Sequence, residues 1–380
     1  MNGTKKWPVV LLAILIIFLS NRLLVDRDFL LQGQAFEHGS AKVLKILGEK
    51  EDTNLAITTQ GGMTSLEVVF SAEYKGNLVT ASQNISNLIP DEKKVSPGDR
   101  VILIELLSPD GNSSLVMSQY NRLPSLIAIG LGFALLLIVF GLKKGLDSLV
   151  ALVLSVSMIF FVFIPMILQG KNIYLWTLLT ALYSILLTIY MITGWSKKSL
   201  VTILACALGT LVAAGLSYGF SRYLHLTGGY DEATLALHRL KDLFQVDLRA
   251  LIFAGITIGA LGAVMDVAMD ISSSLYEIRL HADIGFKELF TSGLTIGRDI
   301  MGTMTNTLIL AYIGGSLSSV LMRVISSSSL LLLFNMEIIV VDLLQALLGS
   351  LALLLTAPLT ALFAALFYSK IPPLKDNEPR

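Results

Sequence analysis

The sequence predicts a mainly α, polytopic helical membrane protein of about eight transmembrane helices, with a small extracytoplasmic all-β domain after the first helix. Three observations predict it. Hydrophobic residues make up 54% of the 380 and charged residues only 15%, against about 25% charged in a soluble globular chain. Apolar runs of about 20 residues, the length needed to cross a bilayer, recur along most of the chain. Between the first two runs lies a polar block, residues 25–122, in which hydrophobic residues alternate with period two.

Residues 1–24 read as an uncleaved signal anchor. Lys5-Lys6 precede the apolar stretch Val9–Leu19, and Ser20-Asn21-Arg22-Leu23-Leu24 offers no small-x-small cleavage site. Seven further spans form a membrane domain over 123–370, at roughly 124–142, 147–168, 173–193, 200–220, 249–269, 301–322 and 345–368, before a cytoplasmic tail at 371–380. Pro165 and Pro358 are expected to kink their helices. Residues 326–345 are too polar for a clean span, so a partly inserted amphipathic segment is expected before the last helix.

Orientation follows from the short loops. Lys5-Lys6, Lys143-Lys144, Lys197-Lys198 and Lys370 fall on one side of such a bundle, and only Lys171 and Arg323 mark the short loops opposite. The positive-inside rule puts both termini in the cytoplasm. The polar block is then extracytoplasmic.

Within that block, Leu66, Val68 and Phe70 alternate with Glu67, Val69 and Ser71 as in a half-buried strand. Other strand-like runs are Ala41–Leu47, Leu55–Thr59, Leu78–Gln83, Arg100–Leu107 and Leu115–Tyr120, and Ser96-Pro97-Gly98-Asp99 suits a type II turn. A small closed barrel or a sandwich accommodates them. In the outer loop 221–248, Asp231 and Glu232 mark the start of an interfacial helix.

Several function classes are excluded. Formal net charge is zero and the basic residues come as short pairs, so nothing points to nucleic acid. One cysteine, Cys206, precludes an internal disulfide framework, and four dispersed histidines offer no metal pair on one helix. No Gly-rich phosphate loop, catalytic constellation, metal site or cofactor signature is present.

One helix carries the strongest functional signal. Gly255, Gly259, Gly262, Asp266, Asp270, Ser273 and Glu277 fall within about ±40° of one line along its axis. The glycines make a small-xxx-small packing surface, and the carboxylates turn the same surface acidic near lipid. On the next span Thr295, Asp299, Thr303 and Asn306 share one side, with Gly302 beside them as a further close-packing glycine. Three readings follow. The carboxylates cap a helix hairpin and pair with Arg298 or Arg279. Alternatively Asp266 and Asp270 bind a cation or proton beside Thr303 and Asn306, with Arg298, Asp299 and Glu277 at a cytoplasmic mouth. An intramembrane hydrolase is the weakest, because the Ser272–Ser274 run has no base near it in sequence.

The stretches L-T-G-G-Y-D-E, G-A-L-G-A-V-M-D-V-A-M-D-I-S-S-S-L-Y-E-I and G-R-D-I-M-G-T-M-T-N-T-L-I-L-A-Y-I-G-G together resemble the bacterial YibE/F-like membrane proteins. The likeness is strongest over about residues 226–320, and an anchor plus β domain resembles the longer, YibE-type members. The resemblance implies a partner in the membrane, a YibF-type paralogue or another copy of the chain. It brings no activity or substrate. Ser318 stands where the family pattern commonly has proline, which puts in doubt the bend expected after Gly314-Gly315-Ser316-Leu317. The expected function is a permease-like transport component for an unknown small solute or ion. The alternative is an envelope scaffold that binds partners through its β domain and glycine face.

Overall fold

The structure, a computed structural model, describes residues 6–24, 38–52, 65–86, 93–107, 113–239 and 246–372. The chain forms two compact units, Met1–Arg27 with Ile138–Arg380, and Asp28–Leu137.

The smaller unit contains a closed barrel of β1 (His38–Asp52), β2 (Ser65–Tyr74), β3 (Asn77–Ser86), β4 (Arg100–Leu107) and β5 (Ser113–Tyr120), in the order β1-β2-β3-β5-β4. All pairings are antiparallel except β3 with β5. Five strands closed in this way make a Greek-key barrel of the OB type. Closure resolves the choice between barrel and sandwich. The long β1 serves two neighbours because register shifts between Val43 and Lys45 and between Ile46 and Gly48 bend it around the barrel. The alternation read from β2 holds: Val68 and Phe70 are fully buried, with Val43, Val101 and Leu103. Buried Gln83 fixes the strap before β4, accepting from Val95 N at 2.9 Å and donating to Lys93 O at 3.0 Å. The expected turn is present, with Gly98 at φ +97° and Asp99 N donating to Ser96 O at 3.0 Å. The expected strand Leu55–Thr59 lies outside the described residues.

The helices are α1 (Trp7–Leu24), α2 (Leu123–Met158), α3 (Ile173–Thr193), α4 (Lys197–Tyr223), α5 (Glu232–Arg239), α6 (Leu248–His281), α7 (Phe286–Gly315), α8 (Leu317–Ser326), α9 (Leu330–Asn335) and α10 (Glu337–Tyr368). Helical backbone runs on from α2 through a π turn, Ile159–Phe163, to Leu168. Leu142, at φ 50° and ψ −129°, interrupts α2 beside Lys143-Lys144, where the sequence placed a loop. Pro165 follows the π turn directly, so the winding changes there. Pro358 sits inside the unbroken α10. Among the described residues, five helical segments are long and apolar enough to cross a membrane, six if the bent α7–α8 pair is one span.

Two regions differ in detail from their expected outline. The span expected over 301–322 is not straight, because α7 begins at Phe286 and meets α8 at a bend of 63°. The bend forms without proline: Ser316 leaves helical geometry at φ −98°, ψ 8°, while its hydroxyl bonds Tyr312 O at 3.0 Å. After α8, residues 326–345 give the short α9 and then the first turns of α10, which is 32 residues long. The segment expected before the last helix therefore consists of α9 and the start of α10.

In the larger unit α10 packs against α4, α6 and α7, and α6 also packs against α4 and α3. Small residues permit the close approach. Added Cβ atoms at Gly293 and Gly297 would lie 2.7 and 3.2 Å from Ala361 and Ala357 of α10, and one at Gly209 would collide with Thr356. Cys206 is fully buried in the α3–α4–α6 core, as a structural thiol is. One end of the bundle is tied by polar contacts. Lys6 pairs with Asp147 and donates to Met191 O, and Ser272 bonds the Tyr368 hydroxyl at 2.6 Å.

Candidate functional site

Helix α6 is the frame of the site, and its ends are well fixed. Asp247 caps the N-terminus by accepting from Arg249 N at 3.0 Å and Ala250 N at 3.2 Å. Near the C-terminus Arg279, only 5% exposed, donates to Asp283, Ala282 O, Tyr368 O and Ser369 O. Asp283 therefore takes the arginine that one reading had offered to the carboxylates further up the helix.

Between these ends α6 has two unlike faces. Ala260, Val264, Val267, Ala268, Ile271 and Leu275 are completely buried. On the other side Gly255, Gly259, Gly262, Asp266, Asp270 and Glu277 are exposed, and Ser273 is half-buried. The sequence stripe is thus a continuous open surface. Gly255 lies near Gln345 and Gly259 near the Tyr312 hydroxyl, both ends of long side chains, whereas a Cβ at Gly262 would meet nothing within 4 Å. The closest intrachain helix packing is at Gly209, Gly293, Gly297 and Gly349, each within 3.2 Å of a neighbouring helix if given a Cβ, and at Gly259, where a Cβ would collide with the Tyr312 hydroxyl of α7.

The polar stripe of α7 is exposed too: Thr295, Arg298, Asp299, Gly302, Thr303 and Asn306 all lie open. Gly302 meets nothing within 4 Å. α7 contacts α6 through Gly293 against Leu275 and Gly297 against Ile271, roughly opposite the polar stripe on each helix at about 100° per residue, and further along through Tyr312 at Gly259. Among the described residues no hydrogen bond joins Asp266 or Asp270 to Thr303 or Asn306. Thr303 and Thr295 satisfy their hydroxyls on their own helix, at Ile300 O and Thr291 O. Among the described residues no hydrogen bond or ion pair engages Asp266, Asp270, Arg298 or Asp299. Nor do three His, Cys, Asp or Glu side chains converge there.

A second polar constellation was not found by sequence reasoning. The Glu337 carboxylate, at the start of α10, accepts from Thr227 N at 2.6 Å, Gly228 N at 2.7 Å and the Thr227 hydroxyl at 2.7 Å. This accounts for the L-T-G-G stretch. Gly228 has φ +88°, and a Cβ there would run into the Leu248 and Arg249 backbone. Asp231 then caps α5, accepting from Thr234 N at 2.7 Å. The signal available was an acidic residue opening a long apolar helix. Its partner lies 110 positions away, which no local pattern reveals.

Residues 129–370 match the family model described as YibE/F-like protein. The chain belongs to the YibE/F-like family. The match covers the α6–α7 stripes, the Glu337 clamp and the candidate spans except the start of Leu123–Leu168, and begins beyond the barrel. No curated protein and no solved structure matches the chain.

Proposed function

We propose that this YibE/F-like membrane protein is a permease-like transport component whose working surface is the open face of α6. The observation that carries the reading is the continuity of that face: small residues for about two turns, then carboxylates without partners, on a helix whose other side is sealed. A carboxylate held in hydrocarbon costs about 2.5–3.5 kcal/mol at midplane, so a surface bearing two favours water, a cation or a second protein over lipid. Asp266 and Asp270 bind the cation or proton. Thr303 and Asn306 supply polar lining, with Arg298, Asp299 and Glu277 at the cytoplasmic mouth. Because no hydrogen bond joins the two stripes within one chain, the lining opposite the carboxylates is assigned to a second subunit, a paralogue or another copy.

The arrangement is about eight spans with both termini in the cytoplasm of a bacterial inner membrane and the barrel outside. The break at Leu142 supports counting two crossings in Leu123–Leu168. The Lys6–Asp147 pair supports placing the first helix start and the Lys143-Lys144 turn on one side.

The test is proton and alkali-cation flux into liposomes containing the full chain, alone and with a co-expressed paralogue. Asp266→Asn should reduce flux at least about tenfold with unfolding unaltered; undiminished flux would overturn the assignment. An envelope scaffold is the second reading, favoured by the barrel belonging to a compact unit, Asp28–Leu137, distinct from the main helical unit. Removing residues 30–118 should then release co-purifying partners, and their retention would exclude docking through the barrel.

A further inference from the structure

At the N-terminal end of α6, about 25 Å along the axis from Asp266, lies a cavity of about 340 Å³ lined by Tyr174, Tyr218, Arg222, Thr227, Asp247 and Arg249. Its walls are held from several directions. The Arg222 guanidinium sits 4.6 Å above the Tyr218 ring, and that ring meets Tyr174 edge-on at 5.7 Å. Tyr174 in turn packs on Phe253 at 4.8 Å. Cation–π contact thus orients Arg222 while leaving its N–H groups free to donate. Arg249 is oriented by its Nε, which donates to Leu226 O at 2.9 Å. The turn carrying Leu226 and Thr227 is clamped by Glu337.

The charges do not balance. Neither arginine is in an ion pair among the described residues. Asp247 is the one carboxylate in the lining, and one of its oxygens is committed to capping α6. Two guanidinium groups and two phenol hydroxyls form a donor-rich hollow suited to a multi-oxygen anion, while the Thr227 hydroxyl is spent on Glu337. Its volume, at the lower end for small-ligand sites, exceeds what a bare tetrahedral anion needs.

We propose that this cavity binds a phosphate group carried by a larger molecule, either the headgroup of an anionic phospholipid or a small phosphorylated solute. The aromatic rings at the helix ends match the interfacial belt of a membrane, where both sources are present.

Binding to the full chain in detergent is measured with two probes, phosphatidylglycerol in mixed micelles by native mass spectrometry and inorganic phosphate by thermal shift. At least one probe should bind saturably. Arg222→Gln should weaken it about tenfold, and the Arg239→Gln control, outside the cavity, should not. Asp247→Asn keeps a capping oxygen and removes the opposing charge, so it should tighten binding about threefold; a misfolded variant cannot mimic that gain. Response to inorganic phosphate assigns the site to a free solute, and response to phosphatidylglycerol alone assigns it to a headgroup. Saturable binding of neither probe, or unchanged affinity in both Arg222→Gln and Asp247→Asn, would overturn the proposal.

Discussion

Two polar regions of α6 lie a few turns apart and are treated in opposite ways. Near its C-terminus, Arg279 is buried and saturated by Asp283 and three carbonyls, and Ser272 is locked to Tyr368. Three turns earlier Asp266 and Asp270 stand on an open surface without a partner. The first region uses polar groups to join α6 to α10. The second spends none of its polar capacity on holding the chain together. That difference separates residues retained for folding from residues available for something else, and the glycines divide along the same line.

The comparison is sharpest for the glycines. Gly293→Leu should cost about 3 kcal/mol or leave no folded protein, since its first added carbon already lies 2.7 Å from Ala361 and 2.8 Å from Leu275. Gly262→Leu, with open space around it, should change unfolding by less than about 1 kcal/mol in either direction. Thermal unfolding of both variants in detergent checks the pair. Equal losses would erase the distinction between the faces.

Arg279→Met should come next, at about 2–3 kcal/mol, because Asp283 and the Tyr368 carbonyl lose a charged donor. Glu337→Gln should cost about 1–2 kcal/mol, since a neutral oxygen accepts less strongly from the Thr227–Gly228 turn. Hydrogen exchange at residues 226–229 should then rise before global unfolding. Asp270→Asn should lie within about 0.5 kcal/mol of the wild type, as expected at an exposed position without partners.

Much of the fold was legible because its signals are local. The period-two run at Leu66–Phe70 and the Ser96–Asp99 turn are short-range features, and both appear as expected. The Lys143-Lys144 interruption is likewise present as the break at Leu142. The bend at Ser316 was harder to read, since backbone geometry and a serine hydroxyl produce it where proline was the visible cue. The α6 stripe could be read from helical spacing, but not what it faces. Which side of α7 meets α6 is decided by Gly293 and Gly297 fitting against Leu275 and Ile271, a packing choice that polarity does not encode. Glu337 was invisible for a related reason: its partners are backbone amides far away in sequence.

The central claim is that the exposed face of α6 is wet and functional, not a lipid-facing surface. Single cysteines placed by Gly262→Cys, Asp266→Cys, Val264→Cys and Ala268→Cys in a Cys206→Ala background test it by labelling with a membrane-impermeant maleimide. Label at positions 262 and 266, with none at 264 and 268, is the predicted result. Reaction at 266 no faster than at 264 would contradict it.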